Sequence, residues 1–207
     1  MEGCPVPLVI HPRVRKTISR VAAMTAFAVF ASSGAALAAC PAPSVSTPFS
    51  QFGDTNTYFL VPGGSFDGSA GGWTLNNASY TSTGDGFNLG GASSPGSLTI
   101  NAGGSVTSPS FCVDRTMPSM RFVTNELAAG SDLKVDAVLY GPWGVQTLPV
   151  TDLADGSNGG SWAPTASISL GGIPAGLTLQ MQLRFSVPRS SGAWGVDDVF
   201  VDPFRMG

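Results

Sequence analysis

The sequence predicts an all-β sandwich, and three observations carry that prediction. No stretch beyond residue 38 keeps a helical period over ten residues. The 27 glycines and 16 prolines fall mostly between short β-prone runs, where turns belong. Leu177 to Val187 alternates strictly. Leu177, Leu179, Met181, Leu183, Phe185 and Val187 point one way, and Thr178, Gln180, Gln182, Arg184 and Ser186 point the other. That is a long strand with one dry and one wet face.

The chain divides into three parts. Residues 1–38 read as a signal peptide. Arg13, Arg15, Lys16 and Arg20 precede the uncharged apolar run Val21 to Leu37, and Ala36-Leu37-Ala38 is a small-x-small cleavage site. An uncleaved anchor is the rival reading, but Ser32, Ser33 and Gly34 interrupt the run where a spanning helix wants about 20 apolar residues. Residues 39–56 read as an extended Pro/Ser-rich arm lying along the sandwich. Residues 57–207 read as one sandwich domain.

Within that domain Thr57 to Val61 is the first strand, stopped by Pro62-Gly63-Gly64. Phe66-Asp67 and Trp73 to Leu75 follow among glycines. Ala78 to Thr83 and Phe87 to Leu89 read as short strands. Ser97 to Asn101 and Val106 to Val113 come next. Ser119 to Glu126 sets Met120, Phe122 and Thr124 opposite Arg121 and Val123. Asp132 to Tyr140 gathers Leu133, Val135, Ala137 and Leu139 on one side. Val145 to Val150 and Ala166 to Leu170 are weaker. Trp194 to Pro203 closes the domain, with two adjacent carboxylates, Asp197 and Asp198, in an apolar run.

Charge and residue usage exclude several functions. After the leader, six cationic and twelve acidic side chains remain, a net charge of −6. Such a domain, without a basic run, suits neither nucleic acid nor an anionic membrane surface. The only histidine, His11, lies in the leader. Ser-His-Asp and Cys-His catalysis and histidine-ligated zinc are therefore excluded from the mature domain. Cys40 and Cys112 remain as an even pair in an exported chain, which points to a disulfide. The chain-entropy model values the loop it closes at roughly 4 kcal/mol. Leu37-Ala38-Ala39-Cys40 also resembles a bacterial lipoprotein box. In that reading Cys40 is lipidated, the protein is membrane-anchored rather than secreted, and Cys112 is a free thiol.

Leu60-Val61-Pro62-Gly63-Gly64-Ser65-Phe66-Asp67, followed by Gly72-Trp73-Thr74, resembles the opening of jelly-roll carbohydrate-binding modules. Those modules often begin with a "GGFE" or "GSFE" element and then a "GW" pair. Trp194-Gly195-Val196-Asp197-Asp198-Val199 is similar to their closing strand. Domains of the galactose-binding-like superfamily and of the MAM type end in this way. The middle of the chain matches only in strand rhythm. The resemblance implies a jelly-roll β-sandwich of two antiparallel sheets. It also implies a structural calcium between the first and last strands, held by Asp67 and by Asp197 or Asp198 with backbone carbonyls. Calcium takes six to eight oxygens in irregular geometry. Aspartate stands at position 67 where those modules more often carry glutamate. The other reading is that Asp67 caps a turn while one of the pair faces solvent.

Sugar sites combine rings that stack on C–H faces with amide, guanidinium and carboxylate groups that fix hydroxyls. The candidates are Gln180, Gln182 and Arg184 on the wet face, Arg121 on a neighbouring strand, and Trp143 and Trp162 in loops. Trp73 and Trp194 read as core. Glycoside hydrolysis needs two carboxylates about 5–10 Å apart. Asp197 and Asp198 point to opposite faces of a regular strand, and Glu126 is the only glutamate beyond the leader. The expected function is therefore a secreted, monomeric, non-catalytic module that binds a polysaccharide or glycan. The alternative is a structural or adhesive surface protein without sugar binding, and a hydrolase stands third.

Overall fold

The computed structural model describes residues 40, 42–89, 95–130, 132–157, 159–188 and 192–203. The expected leader lies outside these residues. The strands are β1 (Phe59–Leu60), β2 (Thr74–Thr81), β3 (Ser97–Thr107), β4 (Phe111–Asp114), β5 (Ser119–Ala128) and β6 (Leu133–Gly141). They continue with β7 (Gly144–Leu153), β8 (Ala163–Pro164), β9 (Ile168–Ser169), β10 (Thr178–Ser186) and β11 (Ala193–Asp202). The expected strand at Phe87–Leu89 is instead a loop. Leu89 is buried there and Phe87 packs beside it, so the apolar residues that suggested a strand are loop anchors.

Every pairing among these strands is antiparallel, and one network joins them in the order β7-β6-β10-β3-β11-β5-β8. The two expected sheets are both present within it, because β3 belongs to each. Residues 98–101 of β3 pair with β11, and residues 105–107 pair with β10. Between them Gly103 takes φ +74, and the partner strand β2 bulges at Asn77, φ +45. One hairpin thus bends across the corner and carries the chain from sheet to sheet, as bulged strands do in packed β-sheets.

The core lies between the two layers. The dry face of β10 contributes Leu179, Met181, Leu183 and Phe185, and β6 contributes Leu133, Val135, Ala137 and Leu139. Opposite them stand Met120 and Phe122 of β5 and Trp194, Val196, Val199 and Val201 of β11. Phe122 and Phe185, one from each layer, meet edge to face with centroids 5.0 Å apart, a favoured aromatic geometry. Trp73 plugs the end of the layer. Its Nε1 donates to Pro62 O at 3.0 Å, and its ring lies 5.2 Å from Phe66. The glycines of this segment are steric requirements. A Cβ on Gly63 would sit 2.0 Å from Gly71 O, and Gly63 itself has φ +66.

The arm folds over the outer face of β5 and β11. Phe49, Tyr58, Leu89, Val123 and Phe200 form a second apolar cluster there. Arg121 stacks 4.2 Å above the Phe49 ring, pairs with Asp54 and donates through Nε to Thr165 O at 2.8 Å. Burial pushes the Asp54 carboxyl up, but hydrogen bonds from Tyr58, the Asn56 amide and Arg121 outweigh it and hold the group below its usual range. Burial and the Asp54 bond push Tyr58 up to about 12. At its start the arm is tied to the other layer: Cys40 is disulfide-bonded to Cys112 of β4, with Cα atoms 5.8 Å apart.

Removing Arg121 leaves Asp54 and the Thr165 carbonyl without their charged donor. Arg121→Ala is expected to lower stability by about 2–3 kcal/mol, read as a shift in the urea midpoint. An unchanged midpoint would show that the arm is held by its apolar contacts alone.

Candidate functional site

The last strand is not regular at its two aspartates. Up to Val196 it pairs with β3, and from Phe200 it pairs with β1. Between these partners lies a bulge, with Asp198 at φ +46. Aspartate is one of the few side chains that enter this left-handed region at low cost. The turn after β1 holds the bulge from one side: Val61 N donates to Val199 O at 2.9 Å, and Val199 N donates to Gly64 O at 3.0 Å. The pleat is broken here, and neither carboxylate faces solvent. Asp197 and Asp198 are both 0% exposed.

A third carboxylate joins them. Ser97 Oγ donates to Thr83 O at 2.8 Å and so ties the loop after β2 to β3. Asp85 in that loop donates its backbone N–H to Asp197 Oδ2 at 3.2 Å, while its own Oδ1 accepts from Phe87 N at 2.6 Å. Asp197 Oδ1 accepts from Asp198 N at 2.8 Å. Asp85 Oδ2 and both carboxylate oxygens of Asp198 are buried and accept no hydrogen bond. Asp67 is exposed at the rim, where its Oδ2 accepts from Ser65 Oγ at 3.0 Å.

The electrostatics follow from this crowding. Burial, then the neighbouring Asp197, Asp85 and Asp67 charges, push Asp198 up to about 9. Burial and the Asp85 charge push Asp197 up to about 8, although two backbone N–H groups oppose the shift. Burial pushes Asp85 up to about 6. Among the described residues, no three acidic, histidine or cysteine side chains are gathered closely enough to hold an ion unaided. Any ion here needs backbone carbonyls and water to fill its shell. Asp85 was not singled out in the sequence. Its flanking glycines mark a turn, and nothing local connects it with a strand 112 positions away.

The candidate ligand residues divide between the two layers. Gln180, Gln182 and Arg184 lie on the outward face of β10, beside Tyr140, Val138 and Asp136 of β6. Tyr140 OH donates to Gln182 Oε1 at 2.6 Å, and Gln182 Nε2 donates to Ser108 O at 3.0 Å. Ser110 Oγ donates to Gln180 Oε1 at 2.8 Å, and Gln180 Nε2 lies 3.2 Å from Cys112 Sγ. The disulfide therefore borders this face. Trp143 stands at the adjacent β6–β7 turn, 45% exposed, with its ring over Gly141. Tyr140, which the sequence reading passed over, is 41% exposed.

Arg121 and Trp162 are elsewhere. Arg121 is buried beneath the arm in its pair with Asp54. Trp162 packs on the second cluster, with its ring where a Cβ on Gly195 would be. Its loop crosses β11, so this candidate ring is a cover for the strand. Neither residue shares the Gln180–Arg184 face.

No protein-family model and no curated protein sequence matches this chain. Solved structures similar to it include carbohydrate-binding modules. A xylan-binding domain from family 22 is 11% identical, with 72% of this chain and 96% of that chain covered and a TM-score of 0.46. The CBM22-1 xylan-binding domain from Paenibacillus barcinonensis Xyn10C is 13% identical, covers 66% and 88%, and gives 0.43. A family 6 module from Clostridium cellulolyticum in complex with xylose is 7% identical, covers 68% and 92%, and gives 0.40. Likeness at this level concerns strand arrangement and says nothing of ligand or site.

The buried aspartates set a pH dependence for the ion-free protein. In the unfolded chain they release protons near the ordinary value of 3.8, whereas the folded chain holds them to about 8 and about 9. Between those limits the unfolded state binds fewer protons, so stability falls as pH rises. With divalent ions chelated, the melting temperature is expected to drop from about pH 5 to about pH 8.5. Asp198→Asn should flatten that drop and melt higher at the alkaline end. An equally steep fall in the variant would show that Asp198 is not the group responsible.

Proposed function

We propose that this chain is a non-catalytic glycan-binding domain, exported and monomeric, whose ligand lies on the outward face of β6 and β10. The observation that carries the reading is the grouping of exposed rings with preset amides. Tyr140 and Trp143 offer aromatic faces, and Gln180 and Gln182 are held in place by Tyr140, Ser110 and Ser108. Rings that stack on sugar C–H faces beside fixed hydrogen-bonding groups are what carbohydrate recognition requires. Arg184 extends the row with an exposed guanidinium. The absence of histidine beyond the leader, and the full burial of Asp197 and Asp198, support binding over hydrolysis. Export is supported by the leader and the disulfide; a lipid at Cys40 would need the sulfur now bonded to Cys112.

One observation favours a second reading, an adhesive surface without sugar binding. Val145 is 63% exposed beside Tyr140 on the edge strand β7, so the same face has an apolar margin suited to a protein partner. A glycan array with the full mature chain separates the two. Retention of a polysaccharide should fall at least tenfold in Trp143→Ala and Gln182→Ala. Arg121→Ala and Trp162→Ala are expected to affect stability more than retention. Retention unchanged in Tyr140→Ala, Trp143→Ala and Gln182→Ala removes the glycan site from this face.

The same reading includes a structural calcium at the β11 bulge. The residues present fit such an ion: Asp198 offers two buried oxygens without hydrogen bonds, Asp85 offers one, and Asp197 and Asp67 add charge. Buried carboxylates are costly unless a proton or a cation neutralises them. Calcium accepts an all-oxygen shell and would bring β1, β11 and the loop after β2 under one ligand set. At about pH 8, a chelator is expected to lower the melting temperature of the wild type and to leave Asp198→Ala unmoved. Identical wild-type melts with and without chelator would exclude the ion.

A further inference from the structure

The Gln180 amide on the open face is held at both ends. Cys112 of β4 is its register partner, so the two side chains stand on one face of neighbouring strands. Ser110 Oγ donates to Gln180 Oε1 at 2.8 Å, and Gln180 Nε2 donates to Cys112 Sγ at 3.2 Å. The two partners are chemically unequal. A serine hydroxyl donates or accepts, so it does not distinguish one end of an amide from the other. A disulfide sulfur carries no hydrogen and only accepts. Cys112 is bonded to Cys40, so its sulfur takes the nitrogen end of the amide and leaves the oxygen end to Ser110. Gln182 is fixed differently. Its Nε2 donates to Ser108 O, a carbonyl that only accepts, and its Oε1 accepts from Tyr140 OH.

We propose, on the reading of this face as a glycan site, that the Cys40–Cys112 disulfide is a positioning element for Gln180 and makes ligand retention sensitive to redox state. A dithiol reductant breaks the S–S bond. Two electrons and two protons pass to the sulfurs, and the reductant leaves as its own cyclic disulfide. The Cys112 thiol then donates as well as accepts, so the amide fits either way round. Gln180 presents a free N–H and an oxygen lone pair to a sugar, and turning the amide exchanges their places. A ligand hydroxyl suited to the oxidised arrangement then meets donor against donor or acceptor against acceptor. The bond is within reach of such a reagent, since Cys40 is exposed and Cys112 half-buried. Other contacts hold the backbone. β4 stays paired with β10 from Asp114 to Phe111, and the arm keeps its apolar cluster and the Arg121–Asp54 pair.

Cys40 and Cys112 are the only cysteines beyond residue 38, so a reductant acts at one bond in the mature chain. The test is retention of a polysaccharide panel by the oxidised and the dithiothreitol-treated mature chain, with the side-chain amide signals of Gln180 and Gln182 followed by NMR. Reduction is expected to shift the Gln180 signals, to leave those of Gln182 in place, and to weaken retention at least about threefold, the scale of one hydrogen bond. Cys40→Ser, which leaves Cys112 as a thiol, should match the reduced wild type and ignore the reductant. Gln180→Ala should retain less and lose nothing more on reduction. A further loss in that variant means that the disulfide acts through the fold and not through the amide, and it overturns the proposal. Equal retention in both redox states by a wild type that binds also overturns it and leaves the glycan reading intact. A wild type that retains no polysaccharide in either state overturns the glycan reading and the positioning role with it.

Discussion

Asp198 places two carboxylate oxygens inside the molecule at the point where the last strand changes partners, and neither accepts a hydrogen bond. A buried carboxylate in that condition holds a proton or a cation. The surrounding structure is organised around this constraint. The turn after β1 pairs with Val199 on one side of the bulge, and the loop after β2 brings Asp85 to Asp197. A Cβ on Gly96, at the start of β3, would lie 2.2 Å from Phe66 O, which shows how closely the first motif is drawn against that strand. An apolar residue at position 198 would spare the desolvation. The position is therefore poor for stability in the ion-free protein, and such positions are common where a site holds a ligand.

The two layers have different fates because of the arm. It covers the outer face of β5 and β11, where Phe49 and Tyr58 pack on Phe200 and Arg121 is neutralised by Asp54. The outer face of β6 and β10 stays open. Cys40 crosses to that second layer, so the disulfide closes the arm around the sandwich, with the Cys112 sulfur beside Gln180. Which polar strand face meets solvent is thus decided by an arm whose described residues have little secondary structure of their own. The same cover explains why Arg121 and Trp162, plausible ligands as residue types, do not belong to the open face.

Much of the fold was legible in the sequence because its signals are local. Period-two alternation over Leu177 to Val187 identified the dry and wet faces of β10, and the structure buries Leu179, Met181, Leu183 and Phe185 accordingly. The placement of Trp73 and Trp194 in the core followed from their apolar surroundings. The even pair of cysteines followed from counting. The acidic run in the last strand was conspicuous, since charge in a β-prone apolar stretch needs a reason.

Composition and pattern by themselves determined an all-β chain and its core faces. Each of these depends on residues within a strand's length of one another. Only the tertiary structure decided that β3 serves both sheets, that Asp85 stands beside Asp197, and that Asp197 and Asp198 are both buried. The physical reason is the same in each case. A pleat repeats every two residues and can be read along the chain, whereas a bulge, a bent hairpin and the meeting of two distant carboxylates are set by which strand lies alongside, and that depends on the packing of the whole sandwich.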